Sequence, residues 1–359
     1  MTAAEALEAH AVVLDAHGGR PRCAEVRVEP PGAGEARVRM LAAGVCHTDL
    51  AAVRDARTVP VVLGHEGVGV VESVGPGGDN ELVGTRVLLS WKTPCGRCRR
   101  CLKGAGHLCE ATIGVAAPRV SLRGAPLAVM LDVGCFCTYA VVPEQALIAV
   151  PPGLPDAHAA LVGCAVATGI GAAELTAKIE PGAFVGVWGV GGVGANIVVG
   201  AKLALAEVIV AVDPDCDRRA AARARGATVA CAPEDAAAVV AEATGGHGVD
   251  TAFEVVGRPE VMSEALECLG VGGRLVLVGA AARDAQLLFE PRRFMSRQQA
   301  IIGCIYGSIR PRFDLERLLR LCADGTVPVA DLIGRTVGLR DVPELFGRPT
   351  EGLRTVIAF

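Results

Sequence analysis

The chain has 359 residues, 51% hydrophobic and 21% charged, with a formal net charge of -4. That composition can bury large cores and excludes a disordered chain. With no long basic run, it also excludes a nucleic-acid or anionic-membrane surface. The length suits two domains of about 100–200 residues each. Fourteen cysteines would suit a disulfide scaffold in a short secreted protein. Here the length and the lack of a charged-then-apolar N-terminal segment predict a reduced, cytoplasmic protein whose thiols bind metal.

Up to about residue 150 the chain alternates Val-rich runs with Pro/Gly turns, at 11–14, 36–41, 68–74, 86–90 and 139–142. This pattern predicts a mostly antiparallel β domain. Two short motifs in it carry a thiol and an imidazole: Gly44-Val45-Cys46-His47-Thr48-Asp49 and Gly64-His65-Glu66-Gly67. Next come Cys95, Cys98, Cys101 and Cys109 within one Gly- and Arg-rich stretch. Four thiolates so closely spaced suit a tetrahedral Zn²⁺ cage, and a cage with no open coordination position is structural rather than catalytic. The cysteines at 135 and 137 read instead as packed thiols on one face of a β-strand.

The segment Pro151-Pro152-Gly153-Leu154-Pro155 marks a boundary. Beyond it the pattern predicts a helix over 156–173, a strand at Phe184–Trp188, a helix to about residue 206, a strand at 208–213 and a helix over 217–225. A further strand follows at 274–279, so this part reads as parallel α/β with βαβ crossovers. The apolar run 300–306 is a candidate edge or interface strand, and the tail mixes a charged helix over 315–322 with short strands. Residues 181–201 carry no charge and superficially resemble a membrane span, but strand, glycine turn and buried helix explain them more simply.

The glycine turn is Gly189-Val190-Gly191-Gly192-Val193-Gly194, at the end of a predicted strand and the start of a predicted helix. There Gly189 permits the tight turn, Gly191 lets the backbone approach a pyrophosphate, and Gly194 lets the helix pack on the strand. Asp213 follows nineteen residues after Gly194. A carboxylate there accepts from adenosine ribose hydroxyls and repels a 2′-phosphate, so NAD is expected over NADP. Arg218 nearby is a second cofactor candidate that would favour the phosphate, with Asp213 expected to dominate.

Cys164, in Gly163-Cys164-Ala165, is a third candidate to join Cys46 and His65. Each of the three could equally be a core residue. Two thiolates and one imidazole would leave a fourth zinc position open, a ligand set for which alcohol dehydrogenase is the standing example. From residue 37 to Phe359 the chain resembles the zinc-dependent medium-chain alcohol dehydrogenases, on the order of these motifs together with Thr168-Gly169 and Leu353-Arg354-Thr355.

The resemblance implies a Rossmann doubly wound parallel sheet over 166–305, inserted into a GroES-like, mostly β catalytic domain made of 1–165 and 306–359, with a structural zinc lobe at about 91–112. It implies two zinc ions per chain and NAD(H). It makes Cys46, His65 and Cys164 the catalytic zinc ligands, with Glu66 behind the metal, Asp49 orienting His65 and Thr48 taking the alcohol proton. It places His47 and Arg354 near the pyrophosphate, Arg258 beside the adenosine, and Thr168, Val278 and Ala280 around the nicotinamide. Trp91 and Met130 line a substrate pocket, although Trp91 could simply pack in the core. The partner is a small alcohol or carbonyl compound, and the 300–308 run implies a homodimer or homotetramer.

One position departs from the family: Ala51 stands where members often carry a histidine that finishes the proton relay. The expected reaction is alcohol–aldehyde or alcohol–ketone interconversion with NAD(H). Alternatives are a dehydrogenase for thiol–formaldehyde adducts, a biosynthetic reductase of an aldehyde, iminium or activated alkene, and a non-catalytic binder of zinc and nucleotide.

Overall fold

The strand Glu35–Val45 organises the first part of the structure. It pairs antiparallel with Glu66–Val74, with Tyr139–Pro143 and with Arg354–Ala358. The computed structural model describes residues 5–56, 58–111, 113–347 and 352–359. It divides into two units, Met1–Cys164 with Arg310–Phe359, and Ala165–Ile309.

The first unit holds a closed barrel of five strands and a seven-stranded sheet to which Glu35–Val45 belongs. The alternating runs predicted from sequence are strands here, most of them longer than expected, although the run at 86–90 ends one residue early, at Leu89. The sequence reading lacked the strands Arg22–Val28, Val61–Val62, Leu147–Ala149, Val120–Leu122 and Ala125–Val129. The last two form a hairpin through Arg123 and Gly124, both at positive φ, the mirror-image turn that suits strand twist.

The second unit is a six-stranded parallel sheet in the order Val229–Cys231, Val208–Val212, Phe184–Trp188, Val249–Glu254, Leu269–Leu277, Ala300–Gly303. This is the doubly wound order, with its switch point between the strands that begin at Phe184 and Val249. Every residue of Val208–Val212 is buried, as β-branched strands covered on both faces require. Ala300–Gly303 is the sheet's edge, and residues 304–306 leave the strand. The helical run from Asp156 continues to Ala177 with two π-type stretches, longer than the pattern predicts.

Cys135 and Cys137 correct one expectation. The segment 135–138 is irregular, with a single β-bridge at Cys137, and the two thiols enter different apolar clusters rather than one face. Gly64, at φ +94, permits this path, because a Cβ there would strike Phe136.

Candidate active site

Strand pairing delivers the metal-site residues. Glu35–Val45 ends beside Cys46, Gly44 pairs with Glu66 at the start of its neighbour, and Val45 pairs with Thr355. Three strand ends from distant sequence therefore bring Cys46, His65–Glu66 and Arg354 together. Cys164 joins them from a π-type turn, Val162–Val166, of the long helical run; such turns recur at functional sites. Ligand atoms of Cys46, His65, Glu66 and Cys164 all lie within 4.8 Å of one another, and all four residues are buried.

Asp49 ties two ligands in place. It is fully buried, in the first turn of the helix His47–Asp55. Its Oδ2 accepts from the Cys46 backbone N–H at 2.8 Å, and its Oδ1 lies 2.9 Å from Nδ1 of His65. That bond leaves the other imidazole nitrogen to face the cluster. Burial lowers the His65 pKa, but the Asp49 carboxylate outweighs it and raises the net value well above the ordinary one.

The thiols are unequal. A hydrogen bond with Cys164, aided by Arg354 and His65, takes Cys46 well below the usual thiol range against the effect of burial. Cys164, bonded to the ionised Cys46 and buried, moves well above it. A second thiolate in this space calls for a cation. Glu66 makes the same demand: neither of its fully buried oxygens has a hydrogen-bond partner. Burial raises its pKa to about 7, and Arg354, whose Nη1 lies 3.4 Å from Oε1, holds it back. The donor set of two thiols, one imidazole and a carboxylate in reserve fits zinc.

Other positions take their places around this cluster. The Thr48 hydroxyl lies 3.6 Å from Sγ of Cys46, and Thr48 and His47 are both exposed. Arg354, expected near a pyrophosphate, is buried and donates from Nη1 to the Val45 carbonyl while facing Glu66. Trp91 and Met130 are both half-buried against the main apolar cluster of this unit. The Arg354–Glu66 pair escaped the sequence reading, because only long-range strand pairing brings the two residues together.

The four-cysteine lobe also closes as expected. Cys95, Cys98, Cys101 and Cys109 place their sulfurs within 4.8 Å of one another. Sγ of Cys98 lies 3.5 Å from that of Cys101 and 3.9 Å from that of Cys109. Backbone amides aim at the sulfurs: the N–H of Cys101 at Cys98, and that of Cys95 at Cys109. Backbone hydrogen bonds lower the Cys98 pKa to about 6. Desolvation, with hydrogen bonds from Cys98 and Cys109, pushes Cys101 up to about 12.

In the second unit, the glycine turn has the features of a phosphate cradle. Gly189 sits at φ +89 against Val256, and a Cβ on Gly194 would fall 1.9 Å from the Gly189 carbonyl oxygen. A Cβ on Gly191 would meet nothing within 4 Å, so the space beside it is open to a ligand. Gly191 caps the helix Gly192–Leu203, whose first N–H groups are therefore free of helix partners. Asp213 is buried, accepting from Val190 N–H at 2.9 Å and Asp215 N–H at 3.0 Å. Arg218 is half-buried in the next helix, Cys216–Arg225.

Thr168 is half-buried in the helix Ala167–Gly171. Arg258 is exposed at the cap of Pro259–Glu267, with its Nε 3.4 Å from Glu260. Val278 and Ala280 follow the strand Leu269–Leu277. Gly257 and Gly279 pack so closely that neither tolerates a Cβ, which clamps the loops carrying Arg258 and Ala280 together.

Comparison with known proteins agrees with this geometry. Residues 32–152 match the alcohol dehydrogenase GroES-like domain, and residues 192–324 match the zinc-binding dehydrogenase domain. The chain is 34% identical to an S-(hydroxymethyl)glutathione dehydrogenase of Synechocystis sp., over 95% of this chain and 97% of that one. It is 35% identical to an NDMA-dependent alcohol dehydrogenase of Amycolatopsis methanolica, over 94% and 95%. The crystal structure of benzyl alcohol dehydrogenase from Acinetobacter calcoaceticus superposes with a TM-score of 0.90 at 27% identity, covering 98% of this chain and 99% of that one. The chain belongs to the zinc-dependent medium-chain alcohol dehydrogenase family and is a zinc-dependent alcohol oxidoreductase.

Proposed function

We propose that this enzyme interconverts a primary or secondary alcohol and its carbonyl compound with NAD(H), using Cys46, His65 and Cys164 to hold a catalytic zinc and Cys95, Cys98, Cys101 and Cys109 to hold a structural one. The observation that carries the reading is the convergence of those three donors and Glu66 within 4.8 Å, with the Thr48 hydroxyl beside Cys46. When bound, the metal supplies Lewis-acid polarisation of the substrate oxygen, and the nicotinamide supplies hydride exchange.

The chain's own residues do the rest. Asp49 fixes the His65 tautomer and the Cys46 backbone, which keeps both ligands aimed at one point. Arg354 balances the negative charge of Glu66 and Cys46. Thr48 accepts the alcohol proton, and its exposure lets water carry the proton onward without a histidine at position 51. Replacing Thr48 with Ala should cut turnover by about 10²–10⁴-fold, the usual worth of a proton-transfer group, with zinc content unchanged. Undiminished turnover would remove Thr48 from the mechanism.

The glycine turn and Gly192–Leu203 hold the pyrophosphate, with Arg258, Thr168, Val278 and Ala280 around the rest of the cofactor. NAD is favoured because the Asp213 carboxylate directly follows the strand Val208–Val212 and is expected to dominate over Arg218, the nearby residue that would favour a 2′-phosphate. A half-buried Trp91 and Met130 line the substrate site. A thiol–formaldehyde adduct is a second substrate reading, favoured by the S-(hydroxymethyl)glutathione dehydrogenases of Synechocystis and Paracoccus denitrificans at 34% and 33% identity. A panel of alcohols beside S-(hydroxymethyl)glutathione, followed by NADH absorbance, separates the two.

The edge strand Ala300–Gly303, partly exposed, supports a homodimer formed by pairing two such edges. A sedimentation profile showing monomer alone would refute that assembly. A cytoplasmic location is proposed from the reduced cysteine set.

A further inference from the structure

Two buried polar residues in the second unit have no part in the chemistry above. Asn196 lies inside the helix Gly192–Leu203, fully buried, and Arg225 ends the helix Cys216–Arg225 at 4% exposure. Asparagine is a poor choice within a helix, and a buried guanidinium is costly unless it is well bonded. Here they form a chain. Arg225 donates from Nη2 to Oδ1 of Asn196 at 3.1 Å and from Nε to the Ala195 carbonyl at 3.2 Å. Asn196 then donates from Nδ2 to the Gly192 carbonyl at 2.7 Å.

The end of this chain matters. The Gly192 carbonyl and the Val193 N–H belong to one peptide, and that N–H is among the free donors at the helix start. A donor placed on the carbonyl polarises the peptide and strengthens its N–H, since linked hydrogen bonds reinforce one another. Gly169 packs closely against this first turn: a Cβ there would meet Asn196 Cβ at 2.5 Å and the Val193 carbonyl at 2.6 Å.

We infer that Arg225 and Asn196 are a positioning pair, which holds and polarises the first peptide of the glycine-turn helix and so tightens its grip on the cofactor's pyrophosphate. The inference rests on the NAD reading above. Neither residue touches the reacting atoms. Their effect should therefore appear only with ligands that carry the pyrophosphate.

The test is isothermal titration of the full chain with ADP-ribose, and with adenosine by competition, which needs no turnover. Wild-type protein that fails to bind ADP-ribose would overturn the NAD reading itself, and this inference with it. In N196L/R225M, which replaces the pair by apolar side chains of similar size, ADP-ribose should weaken by about 3–10-fold, the worth of one hydrogen bond. Adenosine should not change. Asn196→Asp keeps an acceptor for Arg225 but cannot donate to Gly192, so it should show the same selective loss and guards against poor folding of the double variant. Equal loss for both ligands, or none for either, in a wild type that binds ADP-ribose would overturn the positioning role and leave the NAD reading intact.

Discussion

Asp49 makes two bonds that serve two ligands, so it carries the clearest residue-scale prediction. Asp49→Asn keeps the shape but weakens the hold on His65 and Cys46. Loss of such an orienting carboxylate typically costs about 10–100-fold in metal affinity or activity. One zinc should become labile to a mild chelator while the other stays, and metal analysis of the dialysed variant reads this directly. Unchanged retention would show that Asp49 only packs. Cys46 and His65 stood out in the sequence as candidates because their motifs are short and local, while the role of Asp49 came only from the family resemblance. The Arg354–Glu66 pair was not legible. It exists because Thr355 pairs with Val45 while Glu66 pairs with Gly44, and long-range register leaves no local trace. The unsatisfied carboxylate of Glu66 is likewise a product of burial rather than of spacing.

At the scale of elements, the glycine turn separates folding from binding. A Cβ at Gly194 would collide with the Gly189 carbonyl, so Gly194→Ala must open the turn and should lower the melting temperature as well as cofactor affinity. A Cβ at Gly191 meets nothing in the free chain. Gly191→Ala should therefore melt like the wild type yet bind NAD more weakly, because the methyl stands where the pyrophosphate must approach. Calorimetry beside a binding titration checks both, and a destabilised Gly191→Ala would contradict this account of the turn. The strand and helix around it were readable, since a short uncharged strand, Phe184–Trp188, runs straight into the glycine turn and an apolar helix. Arg22–Val28, paired on both sides in the closed barrel, was missed because the exposed Arg22, Glu25 and Arg27 break up its apolar run. Cys135 and Cys137 were misplaced because their segment is irregular and packs Phe136 against Gly64, a long-range contact with no trace in the local pattern.

For the whole molecule, the two cysteine clusters of the first unit are proposed to have separate duties. The four-cysteine lobe is held by its own sulfurs and short turns, with none of the residues at 95, 98 and 101 buried. On the proposed reading, metal binding there would be folding free energy for the lobe. Replacing Cys98 with Ser should release one zinc and lower the melting temperature, while ADP-ribose affinity, a property of the second unit, stays intact. A thermal melt with and without chelator is the check, and a variant as stable as the wild type would deny the lobe a structural metal.

The most direct measurement is zinc content and NADH production on one preparation each of the wild type and of Cys46→Ser, purified without added metal. Two zinc per chain with NAD-linked alcohol oxidation in the wild type, and one zinc with no turnover in the variant, is the predicted result. Full activity in Cys46→Ser, or the same zinc content in both proteins, would contradict the assignment of Cys46, His65 and Cys164 as the catalytic metal site.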